Sequence, residues 1–402
     1  MTHCRSLVLC LLALVVALPL PARAEDSGKT VSVRCDKGKT IADALDDHHG
    51  PLTIQVLGTC HENVVVRRSD VTLVAGAPGA AIQGTDPKVD TLTVTADRFV
   101  LDGLSYRLSV AGGRNGIVVT GASQAQLRNC TVRGSGNGIV GGIGIQFSSG
   151  ASGSVDRCVS SNNPADGVFI DGSIVTITNS TIQGNARNGI FVFGGSTARI
   201  GFTNVFVSAP NTISDNGANG IHVSLNSLGI IYGNSVTSNG TNANSPLGRF
   251  GVLVVHSKAD IPGGNTITGN PGAGVAFSGS SGFIGDPGFG LPFVNTIRGN
   301  STAGVLLALG SAAVVRGAII DTNNGAGLLL SGRSTASVFS ATVTGNSANG
   351  LQLSQGSAVL FQPVTPLANI GGNTSTDLQC LDGESSFTGP LNGSPTISCT
   401  GF

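Results

Sequence analysis

The sequence has few charged residues, little tyrosine and no tryptophan. Of 402 residues, 11% are charged and the formal net charge is zero, whereas soluble domains carry about 25% charged residues. A chain without excess positive charge offers no long basic groove, so nucleic acid is not expected as a partner. Tyrosine occurs 2 times and tryptophan is absent, so the side chains that usually stack on sugar rings are scarce. Phenylalanine, with 16 residues, is the main aromatic side chain.

Long apolar runs are also missing after residue 24. A membrane-spanning helix needs about 20 consecutive apolar residues, so no span is predicted in the rest of the chain. Residues 1–24 have the features of a signal peptide, namely the basic residue Arg5, an apolar run at 7–18 and a small-residue cleavage site at 22–24. We therefore expect this segment to be removed and the mature protein to be secreted or periplasmic.

Glycine is abundant, and many of the 60 glycines open a recurring four-residue phrase: glycine, an aliphatic residue, any residue, an apolar residue. The phrase glycines stand at positions 116, 144, 167, 189, 220, 251, 274, 304, 327 and 350. Because side chains alternate across a strand, the second and fourth positions of the phrase point to the same side. Each phrase therefore predicts a short strand with one buried face.

The spacing of the phrases predicts a solenoid. Most phrases recur after 22 or 23 residues, which is too short for a propeller blade, and the leucine-rich-repeat frame is missing. Inserts at 201–210, 239–250 and 282–292 lengthen some units, and we expect them to project from one corner. An asparagine stands four residues before seven of the glycines, which predicts an internal asparagine ladder. These asparagines are at positions 163, 185, 216, 270, 300, 323 and 346.

Several segments carry a family resemblance. The sequences Asn188-Gly189-Ile190 and Asn265-Thr266-Ile267 look like coils of the right-handed parallel β-helix superfamily, the pectate-lyase-like fold. Residues 35–64 resemble the N-terminal cap of secreted bacterial β-helix proteins of unassigned activity. We therefore predict an all-β fold, a right-handed parallel β-helix of three sheets with a short N-terminal capping helix. The predicted divisions are a signal peptide at 1–24, an N-terminal cap at 25–60, coils at 61–370 and a disulfide-linked C-terminal cap at 371–402.

Six cysteines remain after the signal segment, and they occur in close pairs along the chain. Adjacent strands in a stack lie about 5 Å apart, close to the Cα spacing of a disulfide. Neighbouring cysteines are therefore expected to pair, which indicates an oxidising compartment. The predicted disulfides are Cys35–Cys60, Cys130–Cys158 and Cys380–Cys399.

The third position of the phrase points outward and is mostly apolar. We expect the inserted loops or a partner chain to cover this stripe, and a homo-oligomer formed through it is a further hypothesis. The resemblance implies that chemistry, where present, lies on outward residues of one sheet. One cluster of aromatic, acidic and basic side chains is the predicted ligand-binding surface. It consists of Phe169, Asp171, Phe191, Phe193 and His222, with Arg187 at its edge.

Catalytic signatures of the resembling families are missing. Neither the polygalacturonase-like Gly-His-Gly, nor the pectin-methylesterase-like motif, nor the epimerase-like Asp-Pro-His-Asp occurs. The leading hypothesis is therefore a non-catalytic extracellular surface, structural or glycan-binding protein, with a polysaccharide as the possible partner and no cofactor or metal. The alternative is a carbohydrate-active enzyme such as a polysaccharide lyase acting on uronate polymers. In that case Arg187 would be the base, Asp171 a metal or substrate ligand and His222 a further catalytic candidate, and calcium would be required.

Overall fold

The chain winds into coils of three short strands, and corresponding strands of successive coils pair in parallel. The computed structural model describes residues 28–134, 136, 141–204, 207–286 and 294–399, so the predicted signal peptide at 1–24 lies outside the described residues. We number the three long sheets in the order in which the chain enters them within a coil. The first sheet contains the phrase strands. The predicted all-β solenoid of three parallel sheets is confirmed.

Within the described residues, each sheet takes one strand from almost every coil. The 14 strands of the first sheet are, in chain order, Val64–Val66, Leu92–Val94, Ile117–Thr120, Ile145–Ser148, Val168–Asp171, Ile190–Phe193, Ile221–Ser224, Val252–Val255, Val275–Ser278, Ala303–Ala308, Ala326–Leu330, Leu351–Leu353, Leu378–Cys380 and Ile397–Ser398. The 15 strands of the second sheet are Lys29–Arg34, Leu52–Leu57, Val71–Ala75, Val100–Asp102, Ala125–Arg128, Ser152–Asp156, Ile174–Thr178, Thr197–Ile200, Leu228–Tyr232, Lys258–Gly263, Ser281–Gly285, Ala312–Arg316, Thr335–Phe339, Ala358–Phe361 and Ser386–Thr388. The 13 strands of the third sheet are Thr59–His61, Ala81–Gln83, Leu108–Ala111, Cys130–Arg133, Val159–Ser161, Thr181–Gln183, Thr212–Ser214, Ser235–Thr237, Thr266–Thr268, Thr296–Arg298, Ile319–Asp321, Thr342–Thr344 and Asn369–Gly371.

The ten phrases lie in register in the first sheet. Ile190, for example, pairs with Val168 on one side and with Ile221 on the other. The second and fourth residues of every phrase are buried in the interior of the solenoid. Burial of apolar side chains is the main favourable term in folding, so the repeated phrase accounts for both the register and the core.

The phrase begins with glycine because the next coil leaves no room for a side chain. A Cβ atom on Gly189 would lie 2.7 Å from the backbone oxygen of Gly220 and 2.7 Å from Nδ2 of Asn216. On Gly327 it would lie 2.7 Å from the backbone oxygen of Gly350. Cβ atoms in proteins essentially never approach other heavy atoms within 3.0 Å. The glycine therefore lets the backbones of adjacent coils and the ladder amide pack together.

The predicted asparagine ladder lies at the corner between the third and first sheets. Each side-chain Nδ2 donates a hydrogen bond of 2.6–3.3 Å to Oδ1 of the asparagine in the next coil. The ladder is confirmed and is longer than predicted, because Asn239 and Asn373 also belong to it. The 239–250 insert separates Asn239 from Gly251, so the search for asparagines four residues before a glycine did not find Asn239.

The other two corners of the coil also carry polar ladders. Four asparagines at the corner between the second and third sheets repeat the same side-chain bond: Asn211, Asn234, Asn265 and Asn295. At the corner between the first and second sheets, the backbone N–H of one serine donates a bond of 3.2 Å to Oγ of the serine in the next coil. The serines of this row are Ser173, Ser196, Ser227, Ser257, Ser280, Ser311, Ser334, Ser357 and Ser385. Burying a polar group is costly unless it is hydrogen-bonded, and the bonds of these ladders remove that cost for the asparagines and serines of the three corners.

A short helix covers the N-terminal end of the stack, after a 3-10 turn at Cys35–Lys37. The helix spans Ile41–Asp46, and the side chain of Thr40 caps it by accepting a hydrogen bond from the backbone N–H of Asp43. Glu62, on the first coil, accepts hydrogen bonds of 2.7 and 3.1 Å from the first two helical N–H groups. Three apolar residues of the helix are buried against the stack: Ile41, Ala44 and Leu45.

The three predicted disulfides are confirmed. Their Cα–Cα distances are 4.9, 4.5 and 4.6 Å, and the pairs are Cys35–Cys60, Cys130–Cys158 and Cys380–Cys399. Each pair joins neighbouring turns of the chain, which follows from the stacking distance. The first links the cap region to the third sheet, and the second links two adjacent coils.

The inserts do not share one corner, so that expectation was wrong. The 201–210 insert follows the second-sheet strand Thr197–Ile200 and forms a hairpin of strands Phe202–Asn204 and Val207–Ser208. The 239–250 insert instead leads from the third sheet into the first. Of the 282–292 insert, residues 282–285 belong to a second-sheet strand and 287–293 lie outside the described residues.

We predict that Gly189→Ala will lower the free energy of unfolding by about 1–3 kcal/mol, the usual cost of overpacking. The added methyl group has to displace a backbone oxygen and a ladder amide. Gly383→Ala is the matched control, because a Cβ there meets no atom within 4 Å. Denaturant unfolding of both variants measures the difference, and equal stability would contradict this account of the phrase.

Candidate functional site

The predicted cluster comes together on the outer face of the first sheet. Phe169 pairs in register with Phe191, and Phe191 with His222, on three adjacent strands. The ring centroids of Phe169 and Phe191 are 5.3 Å apart. Those of Phe191 and His222 are 4.6 Å apart with the planes inclined by 12°, which is a stacked arrangement. The register of the coils thus places side chains 22 and 31 residues apart in one continuous row.

A second row lies beside the first. Asp171 pairs with Phe193, and the Phe193 ring is 5.3 Å from Phe191 and 6.1 Å from Phe169. All three phenylalanines are half-buried, so each ring keeps part of its surface in solvent. The Asp171 side chain is also half-buried and forms no hydrogen bond or ion pair with any described residue. Its carboxylate is therefore free to accept hydrogen bonds from a ligand.

His222 is buried, although sequence reasoning placed it as a polar group on an open face. The residue is 8% exposed, and within the described residues neither ring nitrogen has a hydrogen-bond partner. Burial, assisted by the positive charge of Arg187, lowers the pKa of His222 from 6.5 to about 4. The imidazole is consequently neutral at pH 7.

Arg187 lies at the edge of the cluster, as predicted, and pairs with a buried acid. Its Nη1 is 3.9 Å from Oδ2 of Asp166. Burial raises the pKa of Asp166, while Arg187 and hydrogen bonds of 2.9 and 2.8 Å from Asn188 oppose that shift. Asn219 in turn donates to Asn188 at 3.0 Å. The residues directly before Gly167, Gly189 and Gly220 thus form a short polar row, a position that sequence reasoning did not single out.

The groups of the cluster differ in their protonation and in their access to solvent. Arginine stays protonated in proteins, and the Arg187 guanidinium pairs with Asp166 at 3.9 Å. His222 has a low proton affinity, and its nitrogens are closed off from solvent. The groups left at the surface are the edges and faces of three phenylalanine rings, the Asp171 carboxylate and part of the Arg187 guanidinium.

The rest of the outward stripe is less open than the sequence indicated. Leu253 and Ala276 are 9% and 2% exposed within the single chain, and Leu306 and Leu329 are half-buried. No partner chain is needed to remove the first two side chains from water. A homo-oligomer formed through this stripe stays a prediction.

Two further features concern metals and membranes. In the part of the chain that the structure describes, no group of three or more His, Cys, Asp or Glu side chains is arranged to hold a metal ion. Across the same ranges, no helix has the length and apolar character that crossing a bilayer requires.

A groove of about 940 Å³ lies on another face, the outer side of the second sheet. Sequence reasoning missed this groove because it considered only the outward residues of the phrase strands. The signal was present in small residues at outward positions of second-sheet strands, such as Ser281, Ala312 and Ala358.

The fold defines a protein of the parallel β-helix class that carries an aromatic cluster on its outer surface. The family model described as "Right handed beta helix region" matches residues 115–286 and 293–365. These segments make up more than half of the chain, and the protein belongs to this family. The predicted superfamily resemblance is confirmed.

Solved structures are similar over most of the chain. The A-module of a mannuronan C-5 epimerase from Azotobacter vinelandii has a TM-score of 0.52 and 17% identity, and the alignment covers 87% of this chain and 93% of that one. A periplasmic alginate epimerase has a TM-score of 0.50 and 11% identity, with 92% and 83% covered. Likeness at these identities shows a shared fold. No curated protein matches the chain in a sequence comparison.

We predict that His222 makes stability fall in mild acid. Between pH 6.5 and about 4 the unfolded chain takes up a proton that the folded chain excludes, so stability is complete above that window and declines within it. At about 1.4 kcal/mol per pH unit the full loss is about 3 kcal/mol. His222→Leu removes the titrating group and should gain stability relative to the wild type as the pH falls.

Unfolding measured from pH 7 to pH 4 tests this expectation. His61→Leu, which removes an exposed histidine, is the control and should show no comparable gain. A difference between wild type and His222→Leu that does not change with pH would refute the prediction.

Proposed function

We propose that this protein is a non-catalytic extracellular β-helix protein that binds a glycan through the aromatic cluster on its first sheet. The observation that carries this proposal is the grouping of three half-exposed phenylalanine rings, 5.3–6.1 Å apart, beside Asp171. Phe169, Phe191 and Phe193 form an apolar surface on a rigid sheet, so binding requires little ordering of the protein.

The cluster combines apolar and polar contacts in the way a sugar requires. Aromatic rings offer contact area to the C–H faces of a sugar ring, with little side-chain entropy to lose. The Asp171 carboxylate can accept hydrogen bonds from sugar hydroxyls, and the half-exposed Arg187 can donate to hydroxyl or carboxylate oxygens. The two charged groups flank the rings on opposite sides, at the end and before the start of their strands.

Binding without turnover is favoured by the state of the remaining candidates. A lyase would need Arg187 as a base, but arginine stays protonated in proteins, and the guanidinium lies 3.9 Å from Asp166. Catalytic proton transfer needs a group within hydrogen-bond reach of the substrate, whereas both nitrogens of His222 are buried. Calcium is not part of this proposal, and it would be needed only if the lyase alternative is correct.

The partner class and location are inferred from independent facts. The two similar structures are named as epimerases of mannuronan and alginate, which supports a polysaccharide as the partner class. Three disulfides are typical of secreted and periplasmic proteins. The signal-peptide features of residues 1–24 support the same location.

We predict that Phe169→Leu combined with Phe193→Leu will weaken glycan binding at least tenfold. Leucine keeps apolar bulk but removes the flat ring, and a tenfold change corresponds to about 1.4 kcal/mol. The measurement is titration calorimetry of the mature protein against pectic, alginate and glycosaminoglycan oligosaccharides. Phe339→Leu is the matched control, since it removes a half-buried ring from the second sheet.

The same polysaccharides serve to test for turnover. Absorbance of unsaturated products, with and without calcium, detects a lyase, and magnetic resonance of the recovered polymer detects epimerisation. Either activity would overturn the non-catalytic assignment. Unchanged affinity in the double variant would overturn the cluster as the binding surface.

A further inference from the structure

The groove on the second sheet, which we call the second-sheet groove, runs along the stacking direction of the coils. Its central row consists of outward residues from eight successive strands, paired in register. These are Arg199, Ile230, Asp260, Phe283, Val314, Ser337, Leu360 and Thr388. Parallel strands lie about 4.8 Å apart, so the row extends about 34 Å.

The groove is formed by a difference in side-chain size. The side chains along its border are small, and those at the hairpin end are large. A neighbouring outward row contains Ser281, Ala312 and Ala358. At the hairpin end Phe202 packs edge-on against Tyr232, with ring centroids 6.0 Å apart. A volume of about 940 Å³ bordered by residues of eight successive strands gives the groove an elongated form that suits one extended chain.

The chemistry of the lining favours a glycan over a peptide. A peptide that adds to a β-sheet needs a free strand edge, but the backbone groups beneath this face already pair with the neighbouring coils. What the face offers is aromatic rings at Phe202 and Phe283 together with side-chain hydroxyls, such as those of Ser337 and Thr388. Repeated positions about 4.8 Å apart suit a polymer that presents similar units at regular intervals.

The charged side chains at the hairpin end indicate the sign of the ligand's charge. The charged residues among the described lining are Arg199, Lys258 and Asp260, two positive and one negative. Lys258 and Asp260 pair at 3.1 Å, whereas Arg199 is exposed and forms no ion pair with any described residue. Its guanidinium is available for bidentate contact with a carboxylate or sulfate group.

We propose that the second-sheet groove binds a single extended glycan chain with anionic groups, held at its hairpin end by Arg199. This inference rests on the proposed function only in taking a glycan as the ligand. It concerns a different face from the aromatic cluster of the first sheet, so variants on the two faces can fail separately.

The test uses Ser337→Trp, which fills the middle of the groove, and Arg199→Gln, which removes the positive group. Ser235→Trp is the matched control, since it places the same side chain on the outer face of the third sheet. The probes are oligouronates of defined and increasing length, with neutral cello-oligosaccharides of equal length for comparison. Affinity is measured by titration calorimetry, and circular dichroism checks that each variant is folded.

For the wild type we expect affinity to rise with oligouronate length and to level off once the chain spans the groove. Ser337→Trp should weaken the binding of long chains at least tenfold. Arg199→Gln should weaken the binding of oligouronates about tenfold and leave the affinity for neutral chains unchanged. Ser235→Trp should bind as the wild type. Arg199→Gln alters only an exposed side chain, so it keeps the test decisive if the tryptophan variant fails to fold.

Distinct results separate this inference from the proposed function. Loss of binding in Phe169→Leu with Phe193→Leu, but in neither groove variant, would overturn the groove and support the cluster. Loss in the groove variants alone would support the groove and overturn the cluster. Equal binding of neutral and anionic chains, unaffected by Arg199→Gln, would overturn the anionic assignment.

Discussion

From Asn163 to Asn373, each coil is tied to the next by an asparagine whose side-chain amide donates to the equivalent asparagine one turn away. The Nδ2 of Asn185, for instance, donates to Oδ1 of Asn216 at 2.8 Å. Slipping one strand by a residue would reverse the inward and outward sides of all its side chains and leave buried amides unpaired, at about 1–3 kcal/mol for each lost partner. The ladder therefore permits one register, and the phrase glycine leaves the space that the ladder amides occupy.

That single register has a consequence for the outer surface. Residues that face solvent are held in straight rows with one member per coil, whatever their chemistry. Phe169 and Phe191 become neighbours on the first sheet in this way, and Arg199 and Ile230 on the second. A surface built from such rows is linear and repetitive, which matches the form of a polymer better than that of a compact small molecule.

Features that depend on the repeat were predictable from the sequence, and features that depend on shape were not. The phrase strands, the capping helix, the ladder and the disulfides all follow from local pattern or from the stacking distance. Asn239 was not predicted because an insert changed its spacing from the glycine. The burial of His222 was not predicted because it depends on the packing of the folded chain, which the repeated phrase does not encode. The second-sheet groove was not predicted because its shape depends on how large and small side chains from eight strands lie next to one another.

His222 shows why stability and recognition have to be argued separately on this scaffold. Leaving buried ring nitrogens unpaired costs about 1–3 kcal/mol for each group, whereas an aromatic stack returns about 0.5–1.5 kcal/mol. The contact with Phe191 therefore does not offset the cost. Leu253 occupies the equivalent position in the next coil and avoids that cost entirely. Packing alone therefore does not account for a histidine at this position.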